Sequence, residues 1–186
     1  MSRFKVNPTP LAGLRSVQRL PMADERGFLA RLFCAQDLAD AGWVGPVAQV
    51  NHTLTRQCGT VRGLHFQRPP HAEMKLVSCV RGEVWDVAVD LRLGSPTYLH
   101  WHAMHLSADN GVAFLIPPGF AHGFQTITPD VEMVYCHSEP FAAHAEGGLH
   151  VKDPTLALPW PLPIAELSAR DTTHPFINPD FQGVRL

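Results

Sequence analysis

Val84-Trp85-Asp86-Val87-Ala88-Val89-Asp90-Leu91 places Trp85, Val87, Val89 and Leu91 on one face and Asp86, Ala88 and Asp90 on the other. Side chains two apart point the same way on a strand, so this alternation predicts an extended segment. Arg81-Gly82 before it and Leu93-Gly94-Ser95-Pro96 after it supply turn residues. The second face carries two aspartates. It either meets water on a half-exposed sheet or lines a polar cavity inside a small barrel.

Working outward, the chain from residue 47 to 137 reads as short strands parted by turn residues. Thr97–Leu106, Ala113–Ile116, Gly123–Thr128 and Glu132–His137 continue the series at short spacing. Residues 11–34 look like strand material with a turn at Asp24-Glu25-Arg26-Gly27, and Ala35–Ala41 suits a short helix ended by Gly42. The tail from Gly147 is rich in proline and suited to wrapping a barrel, with a helix expected near Ile164–Ala169. No repeat or linker-like stretch divides residues 1–186, so a single all-β sandwich or barrel is expected. Seventeen prolines argue against a helical bundle.

The 15 Lys+Arg against 17 Asp+Glu leave a net charge of −2, too little for non-specific nucleic-acid or anionic-membrane binding. No window approaches a membrane span, and the first residues lack the apolar run of a signal peptide. A soluble, cytoplasmic protein is expected. Cys34, Cys58, Cys79 and Cys136 are widely spaced without a Cys-x-x-Cys pair, against a zinc ribbon or redox pair and in keeping with a reduced set.

Eleven histidines invite a metal reading. In Gly59-Thr-Val-Arg62-Gly-Leu-His65-Phe-Gln-Arg-Pro-Pro70, a Pro-Pro turn separates Arg62 and His65 from Lys75. On adjacent antiparallel strands these three side chains can share one cavity, with His65 as a base near neutral pH and the cations on a phosphate or oxyanion. A basic turn with a satisfied histidine is the plain alternative. Ile116-Pro-Pro-Gly-Phe-Ala-His122-Gly-Phe has the Pro-x-Gly-x-x-His spacing of the second half-motif of cupin barrels. Metal-binding cupins supply His-x-His and a glutamate from the first half. Gly63-Leu-His65-Phe-Gln67 offers one histidine and a glutamine, so no metal ligand set is assigned. His100-Trp-His102 would share a strand face, with no acidic residue close in sequence, and reads as surface or satisfied histidines. Tyr135 is either a core phenol or a general acid. Asp171 is a loop carboxylate unless it orients His65.

Taken together, the pattern resembles the dTDP-4-dehydrorhamnose 3,5-epimerase family. The pieces run in order from Asp24-Glu-Arg-Gly27 to Leu167-Ser-Ala-Arg-Asp171. Between them lie Gln49-Val-Asn51, Arg62–Gln67, Lys75-Leu-Val77, Arg81–Arg92, Ser95-Pro-Thr97, Leu106-Ser107, Pro117–Phe124, Asp153-Pro154 and Trp160-Pro161. The resemblance implies a cupin-type jelly-roll barrel with short peripheral helices, acting without a cofactor on a nucleotide-diphospho-4-keto-6-deoxy sugar. It implies His65 as base oriented by Asp171, Tyr135 as acid on the opposite face, and Lys75 on the enolate oxygen. Gln49, Asn51, Arg62, Gln67, His122, Phe141, Glu146 and Arg170 would hold substrate. Asp86 would stand behind Lys75 or His65. Arg26 would reach the diphosphate from the partner subunit of a homodimer.

Phe141 stands where the family usually has a tyrosine that stacks on the nucleotide base, Arg31 where a nucleotide-contacting glutamate is common, and Arg170 where lysine is frequent. The alternatives are a C3-only epimerase acting on a different nucleotide sugar, a metal-dependent cupin dioxygenase, and a catalytically silent sugar-nucleotide binder.

Overall fold

In a computed structural model describing residues 2–186, strands are numbered in chain order and two antiparallel sheets face each other. The first runs β1 (Phe4–Pro8), β2 (Arg15–Arg19), β10 (Val112–Ile116), β7 (Lys75–Arg81), β12 (Val131–His137), β5 (Gln49–Thr55). The second runs β13 (Glu146–Gly148), β6 (Val61–Gln67), β11 (Phe120–Thr126), β8 (Glu83–Asp90), β9 (Trp101–Ser107). A separate hairpin, β3 (Met22–Asp24) with β4 (Gly27–Leu29), and one short helix, α1 (Ala35–Ala39), complete the regular elements except for a 3-10 turn at Asp171–Thr173. The arrangement is an all-β jelly roll.

Alternation sorts the apolar side chains into three layers. Val77, Cys79, Val84, Ala88, Phe114, Phe124, Val131 and Met133 fill the space between the sheets. Trp85, Val87, Val89 and Leu91 point the other way, where Leu149, Leu156, Val184 and the partly buried Trp160 and Phe181 of the C-terminal tail cover them. Leu38 of α1, Trp43 and Phe4 cover the outer face of the first sheet around Leu76 and Leu115. Both sheets are therefore buried on two sides over much of their area, which is why few strands show a clean polar face.

The two aspartates of β8 share the inward face but serve different ends. Asp86 turns toward the interior and meets His122. Asp90, at the strand end, accepts from the Arg92 backbone N–H and guanidinium and from Ser95 Oγ (2.6 Å) and Thr97 Oγ1 (2.7 Å). Burial alone would raise the Asp90 carboxyl, but these donors outweigh it and hold the group at about 2. That clamp shapes the turn through His100. The strand expected over Thr97–Leu106 accordingly starts later, at Trp101, and His100 lies outside it. No helix forms at Ile164–Ala169. Pro161 and Pro163 precede it, and Glu166 is drawn into a parallel bridge with Thr60, its carbonyl accepting from Val61 N–H.

Candidate active site

β6 carries Arg62 and His65 three residues apart, a spacing that would put them on opposite faces of a regular strand. Both line one cavity because the register between β6 and β11 shifts: His122 pairs with His65, whereas Phe124 pairs with Arg62. Two residues of β6, Gly63 and Leu64, thus oppose Gly123 alone, a β-bulge that turns Arg62 back to the inside. Gly63 has φ +134°, and a Cβ there would lie 2.6 Å from the Gly123 Cα, so the bulge requires glycine.

The cavity, of about 490 Å³, opens between the sheets. From the second sheet come Arg62, His65, Gln67 and His122. From the first come Gln49, Asn51, Lys75, Tyr135 and His137. Glu73, Phe141, Glu146, Arg170 and Asp171 close the rim and floor. All but two of the residues expected at the site meet here.

His65 Nε2 donates to Asp171 Oδ1 at 2.8 Å, and Gly63 N–H donates to Asp171 Oδ2 at 3.3 Å. A carboxylate oxygen at that distance requires the hydrogen on Nε2, which leaves the lone pair on Nδ1. Burial alone would raise the Asp171 carboxyl, but His65, the Gly63 N–H and Arg170 outweigh it and hold it at about 2. The dyad is thus a fixed carboxylate orienting an imidazole. Arg170 lies 3.1 Å from the same His65 nitrogen and binds Glu146 at 2.8 Å.

Tyr135 stands on the opposing sheet. Burial, together with the charge of Asp86, pushes its phenol above the usual value, so the hydroxyl keeps its proton at neutral pH. Lys75, on the neighbouring strand β7, is buried and paired with Glu73 at 2.9 Å. Burial works to raise the Glu73 carboxyl, yet His137 and Lys75 prevail and keep it below its usual range. A buried cation beside a fixed anion, facing a His–Asp dyad, can move a proton on one side of a ligand and neutralise charge developing on its oxygen.

Asp86 feels the charge of Lys75, as expected of a residue behind it, but its hydrogen bonds go to His122. Both of its oxygens accept from His122 Nε2, at 2.9 and 3.0 Å. The register pairs Phe124 with Asp86 and His122 with Ala88, so His122 is the polar neighbour within reach on the inward face. Arg26 is not in the cavity of this chain. It sits at the tip of the β3–β4 hairpin, 90% exposed and paired with Asp24. Gln67 lines the cavity, but its amide is engaged: NH2 donates to Glu73, and the carbonyl accepts from Ala142 N–H. Its contribution is to hold Glu73 and the loop carrying Phe141.

Glu73 and His137 escaped the sequence reading. A period-two count finds His137, two residues after Tyr135 on β12. Glu73 precedes its strand and gives no periodic signal. His105 binds Glu83 and His102 packs on Phe114, so the His-x-His stretch lies apart from the cavity. Among the described residues one group of potential cation ligands gathers: His65, Asp171 and His174.

Fold and site together define a cupin-type jelly roll with an acid–base cavity between its sheets. The chain belongs to the dTDP-4-dehydrorhamnose 3,5-epimerase family, whose model matches residues 8–178. The dTDP-4-dehydrorhamnose 3,5-epimerase of Sinorhizobium fredii is 40% identical over 170 residues, covering 89% of this chain and 85% of that protein. The Bacillus anthracis enzyme of the same name, solved with TDP and PPi bound, superposes with a TM-score of 0.90 at 36% identity, covering 94% and 99% of the two chains. A Legionella pneumophila dTDP-6-deoxy-D-glucose-3,5-epimerase, solved in complex with dTDP-4-keto-L-rhamnose, gives a TM-score of 0.90 at 34% identity over 97% and 98%.

Proposed function

We propose that this protein inverts C3 and C5 of a dTDP-4-keto-6-deoxy sugar by proton removal and return through an enolate. One observation carries the reading: the His65–Asp171 dyad and Tyr135 stand on facing sheets, with Lys75 in the same cavity. The C4 ketone acidifies the neighbouring C–H bonds. His65 Nδ1 takes the proton from one face, and the electron pair of that bond flows onto the ketone oxygen. Lys75 stabilises the resulting oxyanion, an effect of about 3 kcal/mol for a single donor in a water-poor site. Tyr135 returns a proton from the other face and is recharged from solvent, as His65 releases its own. Arg62, whose Nε is tied to Thr55, has its terminal nitrogens free to hold substrate. His122, Gln49, Asn51, Glu146 and Arg170 add contacts, and the Phe141 ring, half exposed at the rim, stacks on the base. The substrate supplies its own electron sink, so no cofactor is invoked.

The working unit is proposed to be a homodimer. The β3–β4 hairpin exposes Phe28 (76%) and Leu29 (62%), and the edge strand β5 exposes Val50 (60%). Apolar groups displayed on a hairpin and on an unpaired sheet edge each suit burial against a second copy. That docking would carry Arg26 to the partner's diphosphate site. A monomeric mass by light scattering would remove Arg26 from the site. Four free cysteines fit a reducing compartment, and a cytoplasmic location is proposed.

The test is exchange in deuterated water with dTDP-4-keto-6-deoxyglucose. Deuterium is expected at C3 and C5. Exchange confined to C3 would make the protein a mono-epimerase, and none with any 4-keto nucleotide sugar would remove the proposal. Glu73 acts as a positioning residue for Lys75. Glu73→Gln keeps the shape but removes the counter-charge, and is expected to lower the exchange rate about tenfold or more while leaving KM within about threefold. A matching rise in KM would instead mark Glu73 as a substrate contact.

A further inference from the structure

His174 follows the 3-10 turn that carries Asp171, and the proposed reaction has no use for it. Its ring lies over Gly148, the strand partner of His65, where any Cβ would collide with it. It packs edge-on against the His65 imidazole, ring centroids 5.5 Å apart. His174 Nε2 is buried without a hydrogen-bond partner, 3.6 Å from Asp171 Oδ1. That oxygen also accepts from His65 Nε2 at 2.8 Å, and the three atoms lie within 4.8 Å of one another. A buried ring nitrogen with nothing to bond is costly unless something else occupies its lone pair.

We infer that His65 Nε2, Asp171 Oδ1 and His174 Nε2 form a site for one Zn2+-type divalent ion, and that the bound ion switches the base off. Two imidazoles and a carboxylate with a water in fourth place match the donor set of an open zinc site. Tetrahedral bonds of about 2.1 Å set donors about 3.4 Å apart. The two imidazole nitrogens, within 4.8 Å of each other, therefore close by at most about 1.4 Å, the His65–Asp171 contact opens from 2.8 Å, and the 3.6 Å from His174 to Asp171 is nearly right already. Arg170 opposes a cation here, with its guanidinium 3.1 Å from His65 Nε2 and its Nε 3.5 Å from Asp171 Oδ1, so the ion must displace it from both. It is half exposed and already held by Glu146, so it can withdraw along that ion pair.

The inhibitory half of the inference rests on the proposed role of His65. Metal on Nε2 takes the lone pair of that nitrogen, so its hydrogen moves to Nδ1. The atom that would accept the substrate proton then carries one already. Asp171 is bound to the same ion and no longer orients the ring. The substrate contacts on Arg62, His122 and Asn51 are untouched and only that of Arg170 is displaced, so kcat falls far more than KM rises.

Two measurements on the full chain test this. In the first, Zn2+ is titrated calorimetrically into wild type and His174→Phe, which keeps a ring over Gly148 but removes both nitrogens. His174→Gln serves if the phenylalanine variant melts early. The expected result is a one-to-one isotherm in wild type whose affinity falls at least about tenfold in the variant, a loss seen even for residues behind a metal ligand. The other histidines and the cysteines, of which Cys34 and Cys58 are partly accessible, contribute the same background to both. An unchanged isotherm overturns the site.

In the second, deuterium exchange is followed with equimolar Zn2+ and then with chelator. Wild type is expected to lose exchange and recover it, whereas the variant holds its own zinc-free rate. Equal wild-type rates with and without bound zinc overturn the inhibition. A zinc isotherm that depends on His174, with no exchange in any form of the protein, leaves the site standing and removes the epimerase reading instead.

Discussion

His65→Ala is expected to abolish deuterium incorporation at both C3 and C5. The His65 imidazole reaches the cavity with an oriented lone pair, because Asp171 Oδ1 holds its Nε2–H at 2.8 Å and leaves Nδ1 free. General-base catalysis by a positioned side chain contributes about 10²- to 10⁴-fold, and alanine removes the base and its geometry together. Exchange should therefore fall at least about a thousandfold while Arg62 and His122 still hold the nucleotide sugar, so KM changes little. Asp171→Asn provides the internal comparison. The amide either turns its oxygen to Nε2–H and merely weakens the pair, or presents NH2 and drives the imidazole to the wrong tautomer. Either way Asp171→Asn should lose less than or as much as His65→Ala, never more. Exchange surviving at one carbon in His65→Ala at the wild-type rate would mean that a second base serves that carbon. Both carbons being served by one base requires the sugar to present C3 and C5 to the same side of the cavity, so equal losses at both carbons test that geometry too.

How much of this was legible in the sequence depends on how local each signal is. The β8 alternation gave the strand and its faces correctly, because period-two patterning needs no information beyond a few neighbouring residues. It could not say that its two inward aspartates part company. Asp90 has its partners at Arg92, Ser95 and Thr97, within the next turn, whereas Asp86 is claimed by His122 across the sheet. The pairing of Arg62 with His65 was right in outcome but not accounted for by simple alternation. Their common direction depends on the bulge at Gly63, which requires glycine because the backbone of Gly123 comes too close for any side chain. Asp171 is brought to His65 from 106 residues away, which no local pattern encodes. The family resemblance named it, and the Gly63 N–H and His65 contacts give the physical reason. The expected helix at Ile164–Ala169 failed for a tertiary reason, since that segment is recruited to the β6 edge at Thr60. Arg26, expected at the site, lies exposed at the hairpin tip and away from the cavity of its own chain.

The base and the acid differ in one respect that kinetics can separate. In the proposed mechanism His65 works before the enolate exists and Tyr135 after it, from the facing sheet. Tyr135→Phe removes a hydroxyl whose proton is held firmly by burial, and leaves the ring packed against the core and edge-on to His122. The first proton transfer needs only His65, Asp171 and Lys75, so substrate hydrogens should still wash out into deuterated water, slowed by no more than about tenfold. Return from the original face by His65 gives exchange with retention. Return from the opposite face gives inversion and needs the phenol. Net inversion should therefore fall about a hundredfold or more, the usual contribution of a positioned acid, while exchange with retention persists. NMR of the recovered sugar distinguishes the two, since retained and inverted carbons carry different couplings. Loss of exchange and inversion in equal measure would show that Tyr135 is not the reprotonating acid and supports the enolate or the substrate instead. Inversion at the wild-type rate would hand the acid's role to water entering the cavity, which the burial of the phenol argues against.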